Sequence, residues 1–189
     1  TVDRFCSSSL QAVALAAWQI EAGQADCIVA GGIESMTALP MTLDRSGDMD
    51  PWLLEHDPAQ YISNGETAEN VAEKYNVTRE EMDRLALESH RKAAAAQAAG
   101  RFDAQMIPVT VPGKRGKTTV VDRDECVRPE STMETLGRLP TAFEPDGVCT
   151  AGNSSPMSDG AGAVVLMDRE TAEKKGLEPL AVFRGFAVT

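Results

Sequence analysis

The sequence predicts an α/β fold, and three segments carry that prediction. Residues 7–22 contain no glycine or proline, and their apolar side chains occupy nearly every face, which predicts a helix buried on all sides. The short apolar run 26–32, closed by two glycines, predicts a buried strand directly after that helix. A second apolar run, 163–167, predicts a strand that returns to the same sheet.

The opening segment is predicted to be a short strand that ends near Cys6. Residues 1–40 are therefore expected to form a strand, a helix and a strand, which is a βαβ-like core unit. Gly23 is the predicted C-terminal stop of the helix. Residues 41–145 differ in composition and are predicted to be an insertion, after which residues 146–189 lead the chain back to the core sheet.

The insertion is predicted to contain local elements of its own. They are a loop over 40–65, helices over 66–75 and 79–99, a hairpin over 107–121 and a short capped helix over 131–138. The longer helix begins with a capping box at Thr78 and Glu81. The basic turn Lys114, Arg115 and Lys117 is interpreted as an exposed hairpin tip, although it also has the charge to steer an anionic cofactor.

Composition and charge exclude several classes of protein. The net charge is -11, which argues against a nucleic-acid or anionic-membrane partner. The sequence has no apolar run of membrane-spanning length, and its first residues do not resemble a signal peptide. Four widely spaced cysteines and two histidines predict neither a metal site nor a disulfide framework. Reduced thiols indicate a cytoplasmic location.

Cys6 is the first candidate for chemistry, because it stands where the predicted strand meets the predicted helix. The N–H groups and dipole of a helix N-terminus favour a thiolate, and the thiolate is the nucleophilic form. A buried structural cysteine is the alternative, as it is for Cys27 and Cys149. His56 and His90 are interpreted as loop and helix histidines, not as catalytic bases.

Five segments, in order along the chain, resemble the thiolase family. They are VDRFCSSSLQA, ADCIVAGGIESMT, NGETAENVAEKYNVTREEMD, DECVRPESTMETLGRLPTAF and GVCTAGNSSPMSDGAGAVVLM. Ketoacyl synthases share the fold and the cysteine at a helix, but they lack the ESMT and TAGNSSPMSDGA segments. The resemblance covers nearly the whole chain and implies a thiolase-like fold, as a partial N-terminal domain whose loop insertion faces coenzyme A.

The resemblance also implies an activity and a site. The activity is acyl-CoA C-acyl transfer: thiolytic cleavage of a 3-ketoacyl-CoA through an acyl-cysteine at Cys6, or the reverse condensation. The N–H of Cys6 would contribute to an oxyanion hole. Arg128 would meet the phosphate end of CoA, and the pantetheine channel would be lined by Thr135, Phe143, Ala151 and Ser155. The resemblance implies no permanently bound cofactor, coenzyme A or acyl-CoA as substrate, and a homodimer or homotetramer.

Non-functional interpretations of these residues stay open. Arg128 could be a solvated surface arginine, and Asn153 and Ser155 could be turn residues. Ser9 stands where the family has glycine, and Asp3 stands where asparagine is common. Ser63-Asn64 replaces the His-Met pair of some biosynthetic relatives, which argues against the acetoacetyl-CoA-forming subclass. The segment SSPMSDGA resembles the degradative 3-ketoacyl-CoA branch.

The family's C-terminal blocks are the larger departure, because the general-base histidine, the second cysteine and the water-holding asparagine are not in this sequence. The chain resembles roughly half of a thiolase and is expected to be inactive alone. Two further hypotheses stay open. One is a non-catalytic thiolase-like protein that binds acyl-CoA or a partner, and the other is a structural fragment.

Overall fold

The structure, a computed structural model, describes residues 1–39, 47, 49–113 and 116–188. In chain order its regular elements are α1 (Ser8–Glu21), β1 (Cys27–Glu34), α2 (Pro51–His56), α3 (Asn64–Tyr75), α4 (Arg79–Ala98), β2 (Val109–Pro112), β3 (Thr118–Val121), α5 (Met133–Gly137), β4 (Gly160–Met167) and α6 (Arg169–Lys174). The predicted α/β class is confirmed. The chain divides into two compact units, Thr1–Asp44 with Met157–Thr189, and Arg45–Pro156.

The first unit is built on an antiparallel pair of strands. β1 and β4 run in register from Cys27 opposite Met167 to Glu34 opposite Gly160, so the predicted returning strand is confirmed. α1 packs against both strands. It ends before Gly23, which adopts a φ of +68°, the left-handed conformation that glycine accepts readily at a helix end.

Three expectations for this unit were wrong. Residues 1–4 form no strand, and Phe5–Ser7 is a single 3-10 turn, so the expected strand–helix–strand is a turn, a helix and a strand. α1 is not buried on all sides, because two strands cover only one of its faces. Its buried residues are Ala14, Ala16 and Ala17. β1 is also mostly exposed, because α1 covers only one face of the two-stranded sheet. The Cys27 side chain is exposed, not buried as predicted.

The second unit begins its helices with side-chain caps. Capping boxes start α3 at Ser63 and α4 at Thr78, and Thr132 caps α5 in the same way. The predicted helices and the hairpin of β2 and β3 are confirmed. α2 was predicted as loop, yet Asp50 caps it and Pro51 occupies its first turn, a start signal that the sequence contains. Lys114 and Arg115, in the predicted hairpin tip, lie outside the described residues.

A half-buried arginine, Arg79, connects α4 to α5. Arg79 Nε donates to the carboxylate of Asp83 at 2.8 Å, one helical turn further along. Its terminal nitrogen donates to the carbonyls of Leu136 at 2.7 Å and Leu139 at 3.1 Å. Asp83 is 2% exposed, so this ion pair is part of the core. None of the helices in the described ranges combines the length and apolarity that a bilayer crossing requires.

Candidate functional site

Cys6 is the middle residue of the turn Phe5–Ser7 that leads into α1, and its side chain is exposed. The residue before it, Phe5, has a φ of +48°, a left-handed conformation that costs a bulky residue about 1–3 kcal/mol. Asp3 stabilises this conformation, because its Oδ1 accepts the Phe5 N–H at 3.1 Å. The Asp3 carboxylate therefore acts as an acceptor within the turn that carries Cys6.

A second set of hydrogen bonds fixes the entry to α1. The Arg4 N–H donates to Ser8 Oγ at 2.7 Å, and the same hydroxyl donates to the Phe5 carbonyl at 2.8 Å. Ser8 is thus committed to the turn. Ser7, at the N-cap position, makes no side-chain cap to α1. The N-terminal N–H groups of this helix are left without a side-chain acceptor at the position next to Cys6.

Ser9 contacts the strand below it. A Cβ atom added to Gly32 of β1 would overlap the Ser9 hydroxyl, so the glycine makes room for this side chain. The substitution of serine for the family's glycine is therefore accommodated by packing within the first unit. It gives no support to the non-catalytic hypothesis.

Asp159 joins two segments that the sequence analysis singled out. Its Oδ1 accepts the N–H of Thr37 at 2.8 Å, which connects the ESMT segment to the SDGA segment within the first unit. This hydrogen bond from the Thr37 backbone lowers the pKa of Asp159 below the ordinary aspartate value. The loop after β1 and the start of β4 are held together at their shared end.

The second unit contains an open cleft of about 510 Å³. Three of the predicted CoA contacts line it: Arg128, Thr135 and Ala151. Leu136 and Leu139 give the cleft an apolar wall, and His90 and Cys126 add polar groups at its edge. A cationic group beside an apolar wall suits a ligand that combines phosphate with an extended aliphatic arm.

The other two predicted contacts lie differently. Ser155 does not itself line the cleft, although its neighbours Ser154 and Pro156 do. Phe143 lies against Gly65 of α3, where a Cβ atom would overlap its ring. The structure therefore brings together three of the five side chains, and all five stay predictions as contacts for CoA.

Asn153 lies between Gly152 and Ser154, which line the cleft, and its side chain makes three hydrogen bonds. Its amide donates to the Asp83 carboxylate and to the Val148 carbonyl, each at 3.0 Å. Its carbonyl oxygen accepts the N–H of Thr150 at 2.8 Å. Asn153 is therefore a turn residue, because its side chain holds the segment that carries Ala151.

Glu69 is a buried carboxylate that sequence analysis missed. Its two oxygens accept the backbone N–H groups of Val148 at 2.8 Å and Cys149 at 2.9 Å. Burial works to raise the pKa of Glu69, but these hydrogen bonds outweigh it and hold the pKa below the ordinary value. The sequence contains one local indication that Glu69 is buried: it lies three positions before Ala72, on the same face of α3. The sequence could not show its hydrogen-bond partners, because they lie about eighty positions further along the chain.

Cys149 is buried, as expected of a structural cysteine. Burial raises the pKa of its thiol, and the neighbouring Glu69 charge raises it further. Within the ranges that the structure describes, no three histidine, cysteine or acidic side chains lie together as a metal site.

Comparisons with known proteins agree on one family. The family model described as "Thiolase, N-terminal domain" matches residues 1–170. The chain is 47% identical over 196 residues to a 3-ketoacyl-CoA thiolase of Bacillus subtilis, with 100% of this chain and 50% of that protein covered. It is 45% identical to an acetyl-CoA acetyltransferase of Escherichia coli, with 99% and 50% covered.

A solved structure shows the same relationship. The acetyl-CoA acetyltransferase of Bacillus anthracis superposes with a TM-score of 0.76 at 42% identity, and the match covers 95% of this chain and 48% of that chain. The chain thus spans about half the length of the relatives it matches.

Proposed function

This chain belongs to the thiolase family, and we propose that it carries the nucleophile of an acyl-CoA C-acyltransferase. The observation that carries the proposal is the placement of Cys6, an exposed thiol in a strained turn before a helix that has no side-chain N-cap. The other α-helices in the described part of the chain all begin with a side-chain cap, at Asp50, Ser63, Thr78, Thr132 and Asp168. The positive end of the helix dipole favours an anion beside Cys6.

In the proposed reaction, the Cys6 thiolate forms a bond to the 3-keto carbon of a 3-ketoacyl-CoA. The bond between the second and third carbons breaks, and its electron pair passes to the second carbon, which is protonated and leaves as acetyl-CoA. The thiolate of a second CoA then attacks the acyl-Cys6 thioester and expels the Cys6 thiolate. Backbone N–H groups at the turn would stabilise the oxyanion that forms in each addition. The reverse direction uses the same steps.

We propose that the cleft of the second unit receives the CoA part of the substrate. Arg128 would pair with a phosphate, and Thr135 and Ala151 would contact the pantetheine arm, with Phe143 and Ser155 as further contacts. The chain's net charge of -11 repels an anionic ligand at long range, so a local guanidinium is needed to hold it. The relatives include 3-ketoacyl-CoA thiolases and acetyl-CoA acetyltransferases, and the proposed binding of CoA applies to both reactions.

A homodimer or homotetramer in the cytoplasm remains the proposed setting. The proposed steps use thiolates, carbonyl carbons and proton transfer, so the proposal includes no permanently bound cofactor.

The nucleophile is tested by acetyl transfer to cysteine. The chain is mixed with acetyl-CoA at about pH 8.5, where an ordinary thiol is half ionised, then acid-quenched and mapped by peptide mass spectrometry. The expected result is acetylation of Cys6 well above that of Cys27 and Cys126, which are also exposed. Cys6→Ser should abolish the adduct and Cys126→Ser should retain it. Equal labelling of the three exposed cysteines, or labelling of Cys27 or Cys126 above that of Cys6, would contradict the proposal.

The cleft is tested by CoA titration. Arg128→Ala should weaken CoA binding by about 10- to 100-fold, because a hydrogen-bonded charge pair is lost. Arg123→Ala is the matched control, since Arg123 is an exposed arginine nearby that does not line the cleft. An equal effect of the two substitutions would show that only general charge matters.

A further inference from the structure

His90 contacts the backbone of the residue that we assign to the phosphate of CoA. Its Nδ1 accepts the N–H of Arg128 at 3.2 Å, across 38 positions of sequence. Both residues line the same cleft. Among the residues that the structure describes, the Arg128 guanidinium makes no ion pair. Its backbone makes two hydrogen bonds: the N–H donates to His90, and the carbonyl accepts the N–H of Ser131.

This hydrogen bond assigns the protonation state of His90. An imidazole nitrogen accepts an N–H only through an unprotonated lone pair, so Nδ1 is bare and Nε2 carries the proton in the neutral ring. In the imidazolium form both nitrogens are donors. The Arg128 N–H would then lose its acceptor and face a positive ring.

We propose that His90 is a positioning residue for the ligand phosphate, whose neutral imidazole holds the Arg128 backbone at the cleft and whose protonation releases it. The inference rests on the proposed binding of CoA in this cleft. Its consequence is that CoA affinity falls when the pH is lowered and the imidazole becomes protonated.

Other titratable and charged groups lie around His90 on two segments of the chain. The facing segment contributes Cys126, Arg128 and Glu130, and the neighbouring positions of α4 contribute Glu88, Arg91 and Lys92. The 3′-phosphate of CoA itself titrates near about 6, so variants must be compared at each pH.

Two substitutions separate the acceptor from the charge. His90→Asn places Oδ1 where Nδ1 lies, which retains an acceptor that does not titrate. His90→Leu has a similar volume and no acceptor. His56→Asn is the matched control, because His56 is the other histidine of the chain and accepts no N–H from the cleft segment.

The first measurement is amide hydrogen exchange at Arg128 by NMR in the full chain, at about pH 7.5, where an ordinary histidine is neutral. The exchange rate should rise about fivefold in His90→Leu, which corresponds to the loss of one hydrogen bond, and should stay at the wild-type value in His90→Asn and His56→Asn. The second is CoA titration from about pH 7.5 to about pH 5.5, across the histidine range. Wild type should lose about fivefold more affinity than His90→Asn over that interval, with His56→Asn following wild type.

Two results would overturn the inference: unchanged exchange at Arg128 in His90→Leu, or identical pH profiles for wild type and His90→Asn. Failure of the proposed function looks different. If no variant binds CoA at any pH, the assignment of the cleft to CoA is wrong, and the exchange rate at Arg128 still decides whether His90 holds it.

Discussion

The Glu69 carboxylate accepts the backbone N–H of Cys149 at 2.9 Å, and both residues are buried. The same carboxylate accepts the N–H of Val148. A single side chain of α3 thus satisfies two consecutive donors of the segment that leads to Ala151. The relationship links the stability of the second unit to the shape of the proposed CoA cleft, because Val148 and Thr150 are in turn bonded to Asn153.

Glu69→Gln should destabilise the second unit by about 2–3 kcal/mol, since hydrogen bonds to a charged acceptor are lost and one donor is left facing an NH₂ group. The chain has two tryptophans, and Trp52 is the one in the second unit. Unfolding is therefore followed in urea by Trp52 fluorescence in a Trp18→Phe background. Glu73→Gln, an exposed change on the same helix, should shift stability by less than about 0.5 kcal/mol. Equal effects of the two substitutions would contradict the assignment.

The depressed pKa of Glu69 also predicts how stability depends on pH. The folded-state pKa lies below the ordinary value of 4.5, so near that value the unfolded chain binds more protons. The contribution of Glu69 is complete above pH 4.5 and is lost as the pH falls through the folded-state pKa. The stability difference between wild type and Glu69→Gln should therefore be constant from neutral pH down to about 5 and shrink below it. A difference that persists unchanged below the folded-state pKa would refute this.

Cys149 should be the least reactive of the four thiols. It is 3% exposed, and burial followed by the Glu69 charge raises its pKa, so little thiolate forms at neutral pH. In timed iodoacetamide labelling with peptide mapping, Cys149 should react at least about 10-fold more slowly than the exposed Cys126. Adding urea should remove the difference. Comparable rates in the folded chain would mean that Cys149 is not enclosed.

Local patterns predicted those elements that depend on neighbours in sequence. The start of α4 at Thr78 and the end of α1 before Gly23 follow from capping chemistry within four residues. The polar core was not predictable in this way, because Glu69 and Asp83 look like ordinary exposed charges of a helix until Cys149 and Asn153 are placed beside them. The burial of α1 was overestimated for a similar reason. The sequence shows that the helix has apolar side chains on several faces, but it does not show which elements pack against them.

Arg79 and Arg84 provide a matched pair of ion pairs on one helix. Arg79 contacts the buried Asp83 four positions on, whereas Arg84 contacts the exposed Glu80 four positions back. Arg79→Leu should cost about 3–5 kcal/mol, because it leaves Asp83 as a buried charge and frees two carbonyls of the chain around α5. Arg84→Leu should cost at most about 0.5 kcal/mol. Urea unfolding reported by Trp52 measures both, and similar costs would show that the Asp83 pair is solvated.

The contact between Ser9 and Gly32 predicts a specific rescue. Gly32→Ala should destabilise the first unit by about 1–3 kcal/mol, because the new methyl group overlaps the Ser9 hydroxyl. Ser9→Gly alone should cost about 0.5–1 kcal/mol through helix propensity. If the overlap is the cause, Gly32→Ala should cost markedly less in the Ser9→Gly background, which gives a coupling of about 1 kcal/mol or more.

Gly162 supplies the control, since it lies opposite Gly32 in the strand register and a Cβ atom there meets open space. Gly162→Ala should therefore be nearly neutral and should not couple to Ser9. Trp18 reports on this unit in a Trp52→Phe background. An additive cycle for Gly32 and Ser9 would place the serine away from β1, and its side chain would then be free to narrow the space beside Cys6.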